Sequence, residues 1–306
     1  MQMEKFEVNI LGCGSALPTT RHLLSSQVVN LRGKLFMIDC GEAAQLQYRT
    51  MKLSFSRLNH IFISHLHGDH CFGLFGLIST LGMLGRRDDL HIFAQPDGEK
   101  VFRPMLDYFC TDLPYQVVFH AFDPQKNALI FEDRTLKVLT IPLKHRVPTA
   151  GFLFEEKEKN LHIVPEMIDF YQIPFCQINA LKAGADFVTP DGQTIPNERL
   201  THPATPPKRY AYCSDTLYNE KIIPIIEGVD VLYHESTFCE SRAERTKQTM
   251  HSTARQAAEI ARAANVKKLI LGHFSARIKD ENVLLTEACE IFPNSVLASE
   301  GLVVEI

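Results

Sequence analysis

No stretch of this 306-residue chain approaches the ~20 apolar residues of a membrane-spanning helix. The first residues, Met1 to Val8, carry Glu4 and Lys5 and lack the apolar centre of a secretion signal. Positive charge is not in excess: 32 Lys and Arg face 36 Asp and Glu, a formal net charge of -4. A surface given over wholly to nucleic acid is excluded, while a local basic patch is not. None of the eight cysteines forms a CxxC pair, so nothing supports a zinc ribbon. A disulfide framework is not expected in a chain long enough to bury a core, and the thiols are expected buried and reduced. Internal repeats and low-complexity tracts are also missing. What is left, 45% apolar and 22% charged residues, is globular composition. A cytoplasmic protein without membrane attachment is the expectation.

The chain reads as strands with helices between them. Phe6–Leu11 is an apolar run stopped by Gly12 and Gly14, and Gln27–Leu31 with Leu35–Ile38 flank the turn-forming pair Arg32-Gly33. A helix is predicted after Glu42 and a strand at His60–Ser64. A second helix is predicted from about His70, with Leu74, Leu77, Ile78 and Leu81 on one face. Strands at Leu90–Ala94, Tyr115–Phe119 and Leu136–Ile141 follow, with a helix near Gly98–Tyr108. From Phe154 to Lys208 the pattern weakens, seven prolines accumulate and a charged run, Glu155 to Lys159, opens the stretch. It reads as an insertion that sits outside or projects from the core, or equally as a meandering surface connection. Strands return at Arg209–Cys213, Val229–Tyr233 and Lys268–Leu271. Thr253 and Gln256 have capping-box spacing ahead of a helix with Ala257, Ile260, Ala261 and Ala264 on one face. A helix around Asn282–Ile291 and two strands close the chain. The sum is mixed α/β.

The most informative run is Ser64-His65-Leu66-His67-Gly68-Asp69-His70. His65 and His67, two apart on an extended segment, point to one side. Gly68 permits a sharp turn, after which Asp69 and His70 open a helix and face a neighbouring point. So short a loop cannot easily give all four groups to one ion, but it can serve two. Other His and acidic residues recur just beyond apolar strands: His145, Asp215, His234 with Glu235, and His273. Strand ends in α/β folds converge on one rim, where a rigid sheet holds a site. Singly, each is more often a satisfied polar residue than a ligand.

These motifs resemble the metallo-β-lactamase superfamily and, within it, the ribonuclease Z family. The resemblance runs over nearly the whole chain. It is carried by Leu11-Gly12-Cys13-Gly14-Ser15-Ala16, Pro18-Thr19-Thr20-Arg21, Asp39-Cys40-Gly41-Glu42, the metal loop, Ser214-Asp215-Thr216, His234-Glu235-Ser236-Thr237-Phe238, His251-Ser252-Thr253 and Gly272-His273-Phe274-Ser275. It implies a four-layer αββα sandwich over residues 1–306 with an inserted arm at 154–208. It implies two zinc ions, one on His65, His67, His145 and Asp215, the other on Asp69, His70, His273 and the shared Asp215. Manganese or iron would also suit such donors. Precursor tRNA is the implied partner, cut at its 3′ side to leave a 3′-hydroxyl, and a homodimer the implied assembly.

Zinc lowers the pKa of its water toward ~7, which suits attack on a phosphodiester. In that chemistry Asp69 orients or deprotonates the water. His251 stabilises charge or protonates the leaving group, oriented by Glu235, and His234 supports the ligands. Arg21, Lys144, Arg146 and Arg277 are the expected RNA contacts, although each alone is more often a solvated charge. Position 22, where the family has Asn, is His22, and a Gly-Pro pair of the family arm is replaced near Ile173-Pro174-Phe175-Cys176. Two other functions fit less of the chain. A small-ester hydrolase of the same superfamily would need only the metal loop, and an RNA-binding or metal-storing module would not need an open water position.

Overall fold

The computed structural model describes residues 5–306. Part of the N-terminal expectation, residues 1–4, lies outside the described residues. β1 (Phe6–Gly12), β2 (Ser26–Leu31) and β3 (Lys34–Ile38) form an antiparallel meander. Its second turn, Arg32-Gly33, has φ of 53° and 85°, the double positive φ that a two-residue hairpin needs. β4 (Leu58–Phe62), β5 (Leu90–Ala94) and β6 (Val117–Ala121) extend the sheet in parallel. β7 (Leu129–Glu132), β8 (Leu136–Pro142) and β9 (Ala150–Glu156) begin a second sheet. Four two-residue strands follow: β10 (His162–Ile163), β11 (Phe187–Val188), β12 (Thr194–Ile195) and β13 (Thr201–His202). β14 (Arg209–Cys213), β15 (Val231–Glu235), β16 (Lys268–Gly272), β17 (Ser295–Leu297) and β18 (Val303–Glu305) complete the chain. The first sheet runs β18-β1-β2-β3-β4-β5-β6 and the second β17-β16-β15-β14-β9-β8-β7.

Alternation along the strands builds the layers. Phe62 turns inward, its ring 5.5 Å from those of both Phe152 and Phe154 on the second sheet. Met37, Ile61 and Ile92 turn outward, into a core shared with the helices Leu74–Met83 and Asp97–Phe109. On the other side Ala254–Ala263 packs on β15, β16 and the helix Asn282–Cys289. The result is the four-layer αββα sandwich. The Thr253–Gln256 capping box forms as predicted.

Besides the four two-residue strands, two longer strands escape the sequence pattern. β7 is short and mostly half-exposed. β9 is buried almost throughout, but its apolar run is short and ends in the charged residues from Glu155, so it does not read as a continuous apolar strand. Phe154, expected to open the insertion, is therefore a core residue. The helix expected from His70 is two helices, Gly68–Cys71 and Leu74–Met83. They part near Gly73, where an added Cβ would lie 2.1 Å from the Gly41 carbonyl oxygen.

By contacts the chain divides into two units. The larger runs to Asp133, includes Lys137–Glu155 and resumes at Lys208–Ile306; the smaller holds Arg134–Leu136 and Glu156–Pro207. The smaller unit has its own apolar cluster of Ile173, Leu181, Phe187, Ile195 and Leu200. All eight cysteines are unpaired, and Cys176 is exposed, against the expectation of burial. Among the described residues no helix is long and apolar enough to cross a membrane.

Candidate metal centre

The site lies where strands of the two sheets end. His65 and His67 follow β4, His145 follows β8, Asp215 follows β14 and His273 follows β16. Gly68 does not take the left-handed conformation. It opens the helix Gly68–Cys71 and lies against the Phe72 ring, 2.4 Å from where its Cβ would be. Asp215 and His273 leave their strands with φ of 42° and 59°, and Asp39, beyond β3, with 55°.

Two groups of donors result: His65, His67, His145 and Asp215, and beside them Asp69, His70 and His273. All seven expected ligands are brought together. His65 Nε2 lies 3.0 Å from His67 Nδ1, and His145 Nε2 3.4 Å from the same atom. Asp215 faces both groups. Its Oδ2 is 3.7 Å from Nε2 of His65 and of His145. Its Oδ1 is 3.1 Å from Nε2 of His70 and of His273. Asp69 Oδ2 completes the second group at 3.5 Å and 3.6 Å from those two nitrogens.

Partners outside the cluster fix the rings. His145 Nδ1 is 3.0 Å from the Met250 carbonyl, and His70 Nδ1 is 2.7 Å from Asp39 Oδ2. A carbonyl or carboxylate only accepts, so these rings donate from Nδ1; when neutral, their Nε2 lone pairs point inward. His273 Nδ1 and His65 Nδ1 meet the hydroxyls of Thr237 and Ser64 at 3.1 Å and 3.0 Å. Asp39 is the residue whose part sequence reasoning missed. It also accepts from the Ser64 backbone and hydroxyl and from Tyr212. Its signal was an acidic residue at a strand end, the same signal that singled out Asp215.

The donor set fits divalent cations. Nε2 of His70 and of His273 are buried without a hydrogen bond, though each faces a carboxylate oxygen at 3.1 Å. Two acceptor atoms that close repel unless a cation or proton lies between them. Burial pushes His65, His67 and His145 below the usual histidine range, which suits neutral ligands. Burial also opposes charge on His70, but Asp215, Asp39 and Asp69 together drive it well up. Negative charge is thus in excess where the second group converges.

Glu235 and His251 stand beside the ligands. Fully buried Glu235 accepts from the backbone of Thr216 at 2.6 Å, the Thr237 hydroxyl at 2.6 Å and the backbone of Ser252 at 3.0 Å. His251 Nδ1 is 2.8 Å from Glu235 Oε1. Burial disfavours the charged imidazole, but the Glu235 carboxylate outweighs it and holds His251 at about 9. The other expected residues are less central. His234 points to the opposite face of β15 from Glu235, and its Nδ1 meets the Glu235 carbonyl at 2.8 Å. Arg146 lines a cleft of about 420 Å³ with Ala16, His67 and Asp69. Lys144 lines a separate cavity of about 720 Å³ with Tyr218 and Lys221. Arg277 is exposed. Arg21 is engaged within the chain, 2.8 Å from Glu281 and 2.9 Å from the Lys279 carbonyl.

Facing sheets clad in helices, with a His/Asp cluster on their rim, define a metallo-β-lactamase fold protein. The structure is similar to human tRNase Z, short form, with TM-score 0.70 and 22% identity over 97% of this chain and 98% of that one. It is similar as well to the metallo-β-lactamase fold protein YhfI from Bacillus subtilis, with TM-score 0.70 and 18% identity over 99% and 100%. The model of a family described as anti-Pycsar protein Apyc1 matches residues 6–101. Likeness in sequence extends much further. The chain is 60% identical to ribonuclease Z of Bacteroides thetaiotaomicron over 99% of its own length and 96% of that protein's. It is 62% identical to ribonuclease Z of Parabacteroides distasonis over 98% and 99%. The chain belongs to the ribonuclease Z family.

Proposed function

We propose that this protein is a metal-dependent endoribonuclease that removes the 3′ trailer from tRNA precursors and leaves a 3′-hydroxyl. The observation that carries the reading is the position of Asp215, with one carboxylate oxygen toward each donor group. Family membership over the full length supports tRNA as the substrate. His65, His67, His145 and Asp215 would hold one zinc ion, and Asp69, His70, His273 and Asp215 the other; manganese or iron are alternatives. When bound, such ions would supply Lewis-acid activation of water and offset the charge of the phosphodiester.

The chain's own groups supply the rest. Asp69 Oδ2 accepts from the Ala16 backbone at 2.8 Å, which fixes its carboxylate against the cluster. His251, its Nδ1 turned to Glu235, keeps Nε2 free to hold a proton for the departing 3′ oxygen. Glu235, held by three donors, raises the His251 pKa against the effect of burial and so favours the protonated ring. His234 supports β15 next to Glu235 rather than a ligand. Arg146, with Lys144 and Arg277 farther out, would meet phosphates of the RNA. The 154–208 arm would bind the body of the tRNA. A homodimer in the cytoplasm is part of the same reading.

The test is incubation of purified protein with a tRNA carrying a 3′ trailer, with and without a chelator, and mapping of both product ends. One cut at the trailer junction, abolished by chelation and restored by zinc, is the expected result. Cleavage that survives exhaustive chelation, or none on any trailer-bearing tRNA with metal replete, overturns the reading.

A further inference from the structure

Behind the site lies a second constellation that the proposed chemistry does not use. Cys13, at the end of β1, is fully buried. Its Sγ is 3.4 Å from His22 Nδ1 and 3.6 Å from Glu300 Oε1. Glu300 Oε2 is 3.1 Å from the same His22 nitrogen. We propose that Cys13, His22 and Glu300 form a third cation site, structural and separate from the rim cluster, that takes Zn²⁺ with a water in its fourth position.

Three observations argue for an ion. The first is spacing. Zinc bonds of ~2.0–2.3 Å to sulfur, nitrogen and oxygen at tetrahedral angles put ligand atoms about 3.3–3.6 Å apart, and the three separations here fall at or close to that range. Sγ to Nδ1 and Sγ to Oε1 lie within it, while the shorter 3.1 Å contact to Nδ1 comes from the other carboxylate oxygen, Oε2. The second is the orientation of His22. Its Nε2 faces Glu281 Oε1 at 3.4 Å. If that nitrogen carries the proton of a neutral ring, Nδ1 presents a lone pair to sulfur and to a carboxylate. A carboxylate behind the outer nitrogen is the usual orienting partner of a metal-bound histidine. The third is charge. A thiolate and a carboxylate neutralise Zn²⁺, while Glu281 is already matched by Arg21 at 2.8 Å. The competing state without metal is an imidazolium shared between two glutamates, beside a protonated thiol.

The site would join the end of β1, the loop bearing Arg21 and the turn before β18. That loop also supplies the Ala16 N–H that holds Asp69, so the ion would brace the approach to the rim cluster without entering it. The inference does not depend on the identity of the substrate.

Cobalt distinguishes the two states, because the rim donors are only imidazole and carboxylate and cannot give a thiolate-to-cobalt charge-transfer band. Chelator-stripped protein is titrated with Co²⁺ while near-ultraviolet absorption and bound metal per chain are followed. The expected result is three ions per chain with a charge-transfer band. Cys13→Ser loses both the band and the third ion while retaining two ions, and His22→Asn and Glu300→Gln bind the third ion more weakly. Two ions without the band in the wild-type protein overturns the proposal, whether or not the variants fold. A band that persists in Cys13→Ser also overturns it.

Discussion

Asp39 Oδ2 lies 2.7 Å from Nδ1 of His70, although 31 residues separate them in the chain. Asp39 is fully buried and also ties down Ser64 and Tyr212. It therefore sets the ring of one candidate ligand and the start of the loop that carries three others. Asp39→Asn is expected to weaken metal binding by ~10–100-fold, the usual cost of losing such a partner. Competition with a chelator of known affinity measures it. Unchanged metal affinity would remove Asp39 from the site's support.

His251→Ala is expected to keep its full metal complement and lose ~10²–10⁴-fold in kcat, the range for one proton-transfer group. Metal analysis beside single-turnover rates separates these effects. Glu235→Gln tests the coupling between the pair. The carboxylate raises His251, so its loss lowers that pKa. Activity that requires the protonated ring then falls off at lower pH than in the wild type. An alkaline limb that stays in place would show that His251 is not the group titrating.

Arg146 and Arg21 separate on the same logic. Arg146→Ala, in the cleft before the ligands, is expected to raise KM for RNA several-fold with kcat retained. Arg21→Ala is expected to act on the stability of its loop, because Glu281 and two backbone carbonyls already occupy the guanidinium. KM values beside thermal midpoints decide. A larger KM effect at Arg21 reverses the assignment.

His60 predicts acid sensitivity away from the site. Its ring is 5.5 Å from Phe36 and 5.3 Å from His91. Burial, then the His91 charge, pushes it from 6.5 down to about 4. The unfolded chain protonates this group near 6.5 and the folded chain only near 4, so between those values the unfolded state binds more protons. Stability is whole above about 6.5 and is lost as pH falls toward 4. Denaturant midpoints at pH 7 and pH 5 should fall less in His60→Gln than in the wild type. Equal falls would mean that His60 is not the group responsible.

Replacing residues 156–207 with a short linker is expected to weaken cleavage of structured precursor tRNA while sparing hydrolysis of bis-p-nitrophenyl phosphate. The segment has its own apolar cluster, and the larger unit keeps all seven candidate ligands. Equal loss of both activities would count against a binding role for the arm.

The sequence made the candidate ligand set legible because metal chemistry narrows residue choice. Few reasons other than metal put His, His, Asp and His within six positions, and apolar strands announce where the rest must emerge. The resemblance assigned them to two ions. Regular amphipathic elements were legible for the same reason of periodicity, as in Leu74, Leu77, Ile78 and Leu81, all buried. β9 was not, because its short apolar centre, Phe152 to Phe154, runs directly into the charges of Glu155 to Lys159. Asp39 went unassigned because its importance lies in which atoms it reaches, and no local pattern encodes that. Arg21 shows the same limit: the fold gives this cation of a family motif a partner in Glu281, 260 residues away, which no local pattern announces.

Asp39, Asp215 and His273 all sit at positive φ, a conformation that costs a residue with a side chain roughly 1–2 kcal/mol. Glycine would relieve that cost in the turn, but at Asp39 it would strip Ser64, His70 and Tyr212 of their buried acceptor, at about 1–3 kcal/mol for each group left unsatisfied. Breeding for heat tolerance alone would therefore keep the strained aspartate, because the backbone's discomfort is smaller than the thirst of the groups it serves.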